Sequence, residues 1–359
     1  MRLSRICLAV EKSRTPERMG SGTRKRREPV ELFRSVSVDW LKLKWYFLGF
    51  SLIFSVAGVV KMGMNWANPV GGMRSPVPLS VDFRGGTEVR VKFAHAADVE
   101  EIRKATEAAG IKDARIQPIQ GDVGVPSGNE VLISLPEQTN ENTLDVGREQ
   151  IVGALHAHYN NPFEESGVKV DVVGPTVGRQ LEKQALLATL YSLAGMLIYL
   201  WFRFQMIYGV AAVVACFHDT LITVGAFALT GQEISLTVIA AILTLIGYSM
   251  NDTIVVFDRI RENLRLSRRE ALPDVVNRSI NQTLSRTVLT SGLTFLTVLS
   301  LYIFGGPVLR GFSFALVVGI LIGTYSSIAV AAPMLVSWQE WRAGKGKAVV
   351  LPAAKRARA

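Results

Sequence analysis

Six long apolar stretches alternate with charged segments along this chain. They fall near residues 45–62, 184–202, 206–229, 234–257, 285–305 and 309–336, and each approaches the roughly 20 residues a helix needs to cross about 30 Å of hydrocarbon. The pattern predicts a polytopic α-helical membrane protein with six transmembrane helices. Between the first and second stretches, residues 63–180 are far more polar and the periodicity changes. VDFRGGTEVRVKF reads as a strand or hairpin, DVEEIRKATEAAG as a helix, ARIQPIQ and EVLISLP as strands, NTLDVGREQIVGALHAHY as a helix and VKVDVV as a strand. That β-α-β-β-α-β order predicts an α+β ferredoxin-like domain between helices 1 and 2. Gly110 sits where the first of its helices should be capped, and the Pro and Gly of GDVGVPSGN suit a connection between two strands.

Composition supports a membrane assignment: of 359 residues 49% are hydrophobic, and mean hydropathy is +0.26. The net charge of +10 is not spread as a nucleic-acid face. Lys and Arg crowd into residues 1–44, Arg203, the segment 258–286 and the tail after Trp338, whereas 230–233 has none. By the positive-inside rule both termini are cytoplasmic, as an even number of spans also requires, and residues 63–180 are exported. The expected organisation is a basic arm (1–44), the first span, the exported domain, five further spans within 181–336 with a cytoplasmic loop at 258–284, and a basic tail (337–359). The sequence after the first span lacks a clear small-residue cleavage site, so that span is expected to remain as an anchor. Residues 1–30 are basic and featureless, and translation is expected to begin near Val30 or at Met19. Cys7 and Cys216 imply no disulfide. His95, His156 and His158 lack a cysteine or paired carboxylates to complete a metal set and are expected on the surface.

An aspartate at the centre of a spanning helix costs about 2.5 to 3.5 kcal/mol, so it should face protein or water and have a use. Asp252 is such a residue, flanked by Asn251 and Thr253 and preceded by Gly247, whose lack of a side chain would allow close helix approach. Helical spacing puts Tyr248, Asp252, Val255 and Arg259 on one stripe. Arg286 enters the fifth span from the side at which the fourth leaves, making Asp252 and Arg286 expected neighbours. An arginine would hold the acid ionised until a proton or a movement separates the two, as a proton relay requires. The competing reading is a static buried pair that fixes helix packing. His218 and Asp219 in the third span admit either reading, and as successive residues they point about 100° apart, which predicts that they do not share a face. Asp258, Arg259, Arg261 and Glu262 read as an ordinary charged helix at the inner interface. Ala315, Gly319, Gly323 and Ser327 form a small-residue stripe for tight packing.

GYSMNDTIVVFDRIREN resembles the fourth-span signature of the SecF proteins of the SecD/SecF protein-export family. VDFRGGTEV is similar to the family's DFxGGT motif, here Asp82, Phe83, Gly85, Gly86 and Thr87. VVGPTVGRQL, the HD of ACFHDT, NQTLSRTVLTSGLT and GTYSSIAVAAP resemble the family's segments in spans two, three, five and six, over residues 31–337. The resemblance implies half of a resistance-nodulation-division architecture in the bacterial inner membrane. It implies SecD and the SecYEG translocon as partners, YajC as a further candidate, and unfolded preprotein as substrate. It also implies no cofactor beyond the proton gradient and no metal, with Asp252 and Arg286 on the proton path. Arg84 stands where the family motif has a small hydroxyl residue, TSGLTF departs from a more Thr-rich form, and the first thirty residues have no counterpart. The alternatives are a translocon assembly factor without proton coupling and a half-unit of a small-molecule efflux pump. An enzyme is not expected: no nucleophile stands with a base, and GPTVGRQ lacks the Lys and spacing of a phosphate-binding loop.

Overall fold

The computed structural model describes residues 38–68, 75–111, 114–119, 129–136, 144–204, 206–267 and 270–344. Most of the basic arm with Cys7, the proposed start sites, the connection 120–128 and the end of the tail lie outside the described residues.

Helix α1 (Lys44–Ala67) opens the described chain. A four-residue turn, α2 (Val81–Arg84), then leads into β1 (Gly86–Lys92), α3 (Val99–Ala108), β2 (Arg115–Ile119), β3 (Glu130–Pro136), α4 (Leu144–His158) and β4 (Lys169–Val173). The four strands form one antiparallel sheet in the order β2-β3-β1-β4. Alternation along β1 sends Val89 and Val91 into a core with Ile102, Ile133, Ile151 and Leu155 beneath α3 and α4. Each such side chain contributes roughly 1.5 to 3 kcal/mol on burial. Glu88 and Arg90 occupy the opposite face. Asp98 starts α3 by accepting from the Glu100 amide at 2.8 Å, and Gly110, at φ 85°, lets the chain leave that helix.

The chain returns through α5 (Pro175–Arg203), α6 (Met206–Thr230), α7 (Leu236–Leu266), α8 (Leu272–Phe304) and α9 (Gly306–Ser326). A π-helical turn (Ser327–Ala331) then joins α9 to α10 (Ala332–Gly344). Six helical segments are long and apolar enough to cross a membrane, the last being α9, the π turn and α10 together. They run well past the predicted spans, because length beyond the apolar window is supported by charged turns such as 258–266 at the end of α7. The bundle core lies among α6, α7 and α9.

One predicted element is corrected. Residues 81–84 are neither strand nor hairpin: the Ser80 hydroxyl accepts from the Asp82 amide and starts a helical turn. Gly85 and Gly86, at φ 74° and 127°, then turn the chain into β1.

Candidate functional site

The inward face of α7 sets the site. Ser249, Asp252, Thr253 and Val256 are buried, Tyr248, Val255 and Arg259 are half-buried, and Asn251 is exposed. The predicted stripe is therefore rotated by about one residue, because the packing of α9 and α8 selects the face rather than the polar residues alone. Asp252, 2% exposed, accepts a hydrogen bond from the Ser291 hydroxyl of α8 at 2.7 Å. Thr253 donates its hydroxyl to the Ser249 carbonyl, a local bond within α7.

Arg286 makes no direct ion pair with Asp252, although it lies near enough to act on that carboxylate electrostatically. The buried positions of α8 at this depth are Thr283, Thr287 and Ser291, one every four residues, and Arg286 falls on the neighbouring exposed face. The Thr287 Oγ1 is buried without a hydrogen-bond partner.

A second carboxylate lies on α6. Asp219, 1% exposed, accepts from the Ser249 hydroxyl of α7 at 2.5 Å and from the Ser326 hydroxyl of α9 at 2.7 Å. Its other oxygen lies 3.0 Å from Nδ1 of His218, and Nε2 of His218 is in hydrogen-bond contact with the Ser51 hydroxyl of α1. Adjacent helical positions do meet here, against expectation, because side-chain torsions, and not helical spacing alone, decide where the two polar ends lie. Ser51, Ser249 and Ser326 were not foreseen in the sequence, where a lone serine in a span carries no signal of what it faces.

Close helix approach depends on glycines, though not on all those expected. A methyl group at Gly319 would come within 2.4 Å of Leu245 of α7, and one at Gly323 within 3.0 Å of Ser249. Gly247 meets nothing within 4 Å, so its predicted packing role within this chain is not realised. Helices α1 and α6 also approach closely, with 2.9 Å between a methyl added at Gly58 or Gly225 and the facing glycine Cα.

The DFxGGT-like segment is a joint between sheet and bundle. Asp82 accepts from the Leu236 amide in the first turn of α7 at 3.0 Å, and Phe83 is buried in the bundle core. Gly178 of α5 packs against the backbone of Phe83 and Gly85, and Thr87 lies against Gly147 of α4. Beside the joint, the α6–α7 connection pairs with the chain before α2 through Ser80 and Ile234, 3.0 Å apart, and Glu233 forms an ion pair with Arg115 at 3.0 Å. Glu88, Arg90, Asp82, Asp171, Glu233 and Arg310 line a groove of about 770 Å³ between the sheet and the helices. Burial pushes Glu88 up to about 7, aided by Glu233, Asp171 and Asp82 and opposed by Arg90. Burial also raises Glu233, against the pull of Arg115 and Arg84. Arg84 is lowered by burial and by the nearby Arg115. His95, His156 and His158 are exposed, His156 stacking on Phe163.

The family described as protein export membrane protein SecD/SecF, C-terminal, matches residues 153–341. The chain is 52% identical to protein translocase subunit SecF of Koribacter versatilis, over 89% of this chain and 96% of that one. It is 40% identical to the SecF subunit of Desulfurispirillum indicum, over 84% and 92%. The chain belongs to the SecD/SecF family, on its SecF side. Like other SecD/SecF proteins it is a multi-pass membrane protein. The crystal structure of SecDF, a translocon-associated membrane protein from Thermus, superposes with a TM-score of 0.71 at 36% identity. That match covers 85% of this chain and 39% of the SecDF chain.

Proposed function

We propose that the chain is an auxiliary subunit of the Sec protein translocase. It pairs with SecD and uses the proton motive force to promote preprotein translocation and release across the bacterial cytoplasmic membrane. In this reading both termini and the 258–284 loop are cytoplasmic, and the β-α-β-β-α-β sheet is an exported ferredoxin-like domain that holds unfolded chain without a cofactor. SecYEG is the translocon it serves, and YajC a further contact.

Pairing is supported by relatives in which one chain carries both names, such as SecDF of Thermus thermophilus, 41% identical over 73% of this chain but only 35% of that protein. It is also supported by uncovered apolar surface. Only 11%, 6% and 17% of the most apolar windows of α1, α5 and α8 are buried, against 50% or more for α6, α7 and the last span. Arg286 lies on this uncovered side, where a second set of helices would enclose it.

The observation that carries the proton-coupled reading is Asp252: a carboxylate buried at spanning depth, held by one hydroxyl and no cation. Ionised, it draws on Arg286, which acts on it electrostatically without forming an ion pair. Protonated, it is neutral and satisfied by Ser291. Two populated states of one group are what a relay needs. The Ser291 bond also favours a second reading, in which Asp252 is a static strut and the chain an assembly factor.

Export by vesicles holding the reconstituted complex, with and without an imposed proton gradient, separates them. Asp252→Asn preserves shape and should abolish the gradient-stimulated component while leaving complex stability near normal. Full retention of that component would leave the static reading standing.

A further inference from the structure

The polar cluster on α6 is separate from Asp252 and joins four elements. Oδ1 of Asp219 faces Nδ1 of His218, Nε2 of His218 faces the Ser51 hydroxyl of α1, and Oδ2 of Asp219 takes the hydroxyls of Ser249 and Ser326. Ser326 immediately precedes the π-helical turn Ser327–Ala331, and such turns occur often at functional sites. We propose that His218 and Asp219 form a second proton-binding site, in which the imidazole takes up a proton between Asp219 and Ser51.

The geometry permits the step without moving a heavy atom. With His218 neutral, Nδ1–H donates to Asp219 and Nε2 accepts from Ser51. When a proton adds to the Nε2 lone pair, N–H donates to Ser51 Oγ, and the serine hydroxyl turns towards a carbonyl of its own helix. No bond between heavy atoms forms or breaks. The charge balance favours uptake. Among the described residues Asp219 pairs with no Lys or Arg, so the neutral-imidazole form leaves one uncompensated negative charge in the bundle interior. Protonation converts it to a hydrogen-bonded ion pair of zero net charge.

Other titratable groups on the packed elements do not supply that compensation. Cys216 shares α6, Tyr248 and Asp252 belong to α7, and the Tyr325 hydroxyl of α9 donates to the Phe47 carbonyl of α1. Tyr46 of α1 and Tyr191 and Tyr199 of α5 are exposed. Glu340 and Arg342 of α10 stand about 20 Å or more along the helix from Ser326. The His218 side chain is 14% exposed against 1% for Asp219, so the imidazole is the more accessible member of the pair.

The chain has four histidines, and three are exposed. The full chain carrying His95→Gln, His156→Gln and His158→Gln therefore reports His218 alone. Reconstituted in lipid vesicles and labelled with ¹⁵N-histidine, it is read by nuclear magnetic resonance at about pH 8 and about pH 5. The expected result is a single Nδ1–H tautomer at the higher pH and a doubly protonated ring at the lower. Asp219→Asn, which can still accept from Nδ1–H, should reduce the charged fraction at about pH 5 by about tenfold. Ser51→Ala, milder for folding, should reduce it by about threefold through loss of the acceptor at Nε2. Asp252→Asn should leave the spectrum unchanged. Identical spectra at the two pH values, or no response to both Asp219→Asn and Ser51→Ala, overturn the proposal. Disappearance of the pH response in Asp252→Asn also overturns it, since the site would not be separate from Asp252. Loss of gradient-stimulated export in Asp252→Asn tests the relay alone and leaves the His218 spectrum as an independent result.

Discussion

The bundle centre and the groove under the sheet both bury carboxylates, and they hold them by different means. At the centre, Asp219 and Asp252 accept from serine hydroxyls, and among the described residues His218 is the only basic group in hydrogen-bond contact with them. Under the sheet, Glu233 is bound by Arg115 with Arg84 nearby, and Arg90 and Arg310 line the same groove as Glu88, Asp82 and Asp171. The groove opens to water, so long guanidinium side chains can be solvated there and arrange themselves around an acid. At spanning depth a permanently charged arginine needs its own compensation, and short hydroxyls satisfy a carboxylate with less buried charge. An acid in the groove is thereby set to respond to the pH of the water that enters it, and an acid in the bundle to a change of partner.

The sharpest test of this contrast removes each central acid. Asp219→Ala would orphan two serine hydroxyls and a histidine at once, with an expected loss of roughly 3 to 5 kcal/mol. Asp252→Ala removes the acceptor of one hydroxyl and should cost about 1 to 2 kcal/mol. Thermal unfolding of the purified chain compares them. Equal losses would mean that the number of hydroxyl donors does not set how firmly each acid is held.

The groove should show itself through pH. Glu88 is held up to about 7 from an ordinary 4.5, so the folded chain binds a proton there that the unfolded chain gives up. The associated stability is fully present below about 4.5 and is lost as pH rises towards about 7, by roughly 2 to 3 kcal/mol. Glu88→Gln should flatten that part of the stability–pH curve. A curve with the same slope in Glu88→Gln would assign the titration to another group. A smaller effect is expected at the joint. Asp82→Ala takes the carboxylate from the Leu236 amide and the positive end of α7, at a cost of about 1 kcal/mol. Faster hydrogen exchange confined to the first turn of α7 would report it; unchanged exchange there would show the contact to be idle.

Elements fixed by local periodicity were legible in the sequence. The alternation of EVLISLP and the helical spacing of DVEEIRKATEAAG gave strands and helix where β3 and α3 lie, because each segment's burial pattern depends on its own residues. The rotation of a helix was not legible. Nothing in span five says that Thr287 and Ser291, and not Arg286, turn inward; that choice follows from how α7 and α9 pack. The His218–Asp219 contact depends on side-chain torsions, which spacing alone does not determine. The VDFR turn was misread because the strand-like residues Val81 and Phe83 are buried, Phe83 in the bundle core, instead of pairing in the sheet. Six stretches of similar hydropathy likewise concealed the division between α6, α7 and α9 at the centre and α1, α5 and α8 at the rim.

Two glycines that read alike in the sequence should respond in opposite directions. Gly319 faces Leu245, whose nearest carbon would lie 2.4 Å from an added methyl, and Gly247 faces open space within this chain. Gly319→Ala must therefore displace Leu245, at about 1 to 3 kcal/mol. Gly247→Ala adds no clash and removes a flexible residue from mid-helix, so the isolated chain should gain about 0.5 to 1 kcal/mol. Unfolding of the two variants in the same detergent gives the comparison directly. A loss at Gly247 in the isolated chain would mean that α7 lies closer to a neighbouring helix than the structure has it. A gain there, combined with weaker retention of a SecD partner on purification, would instead put Gly247 at the surface where the two halves meet.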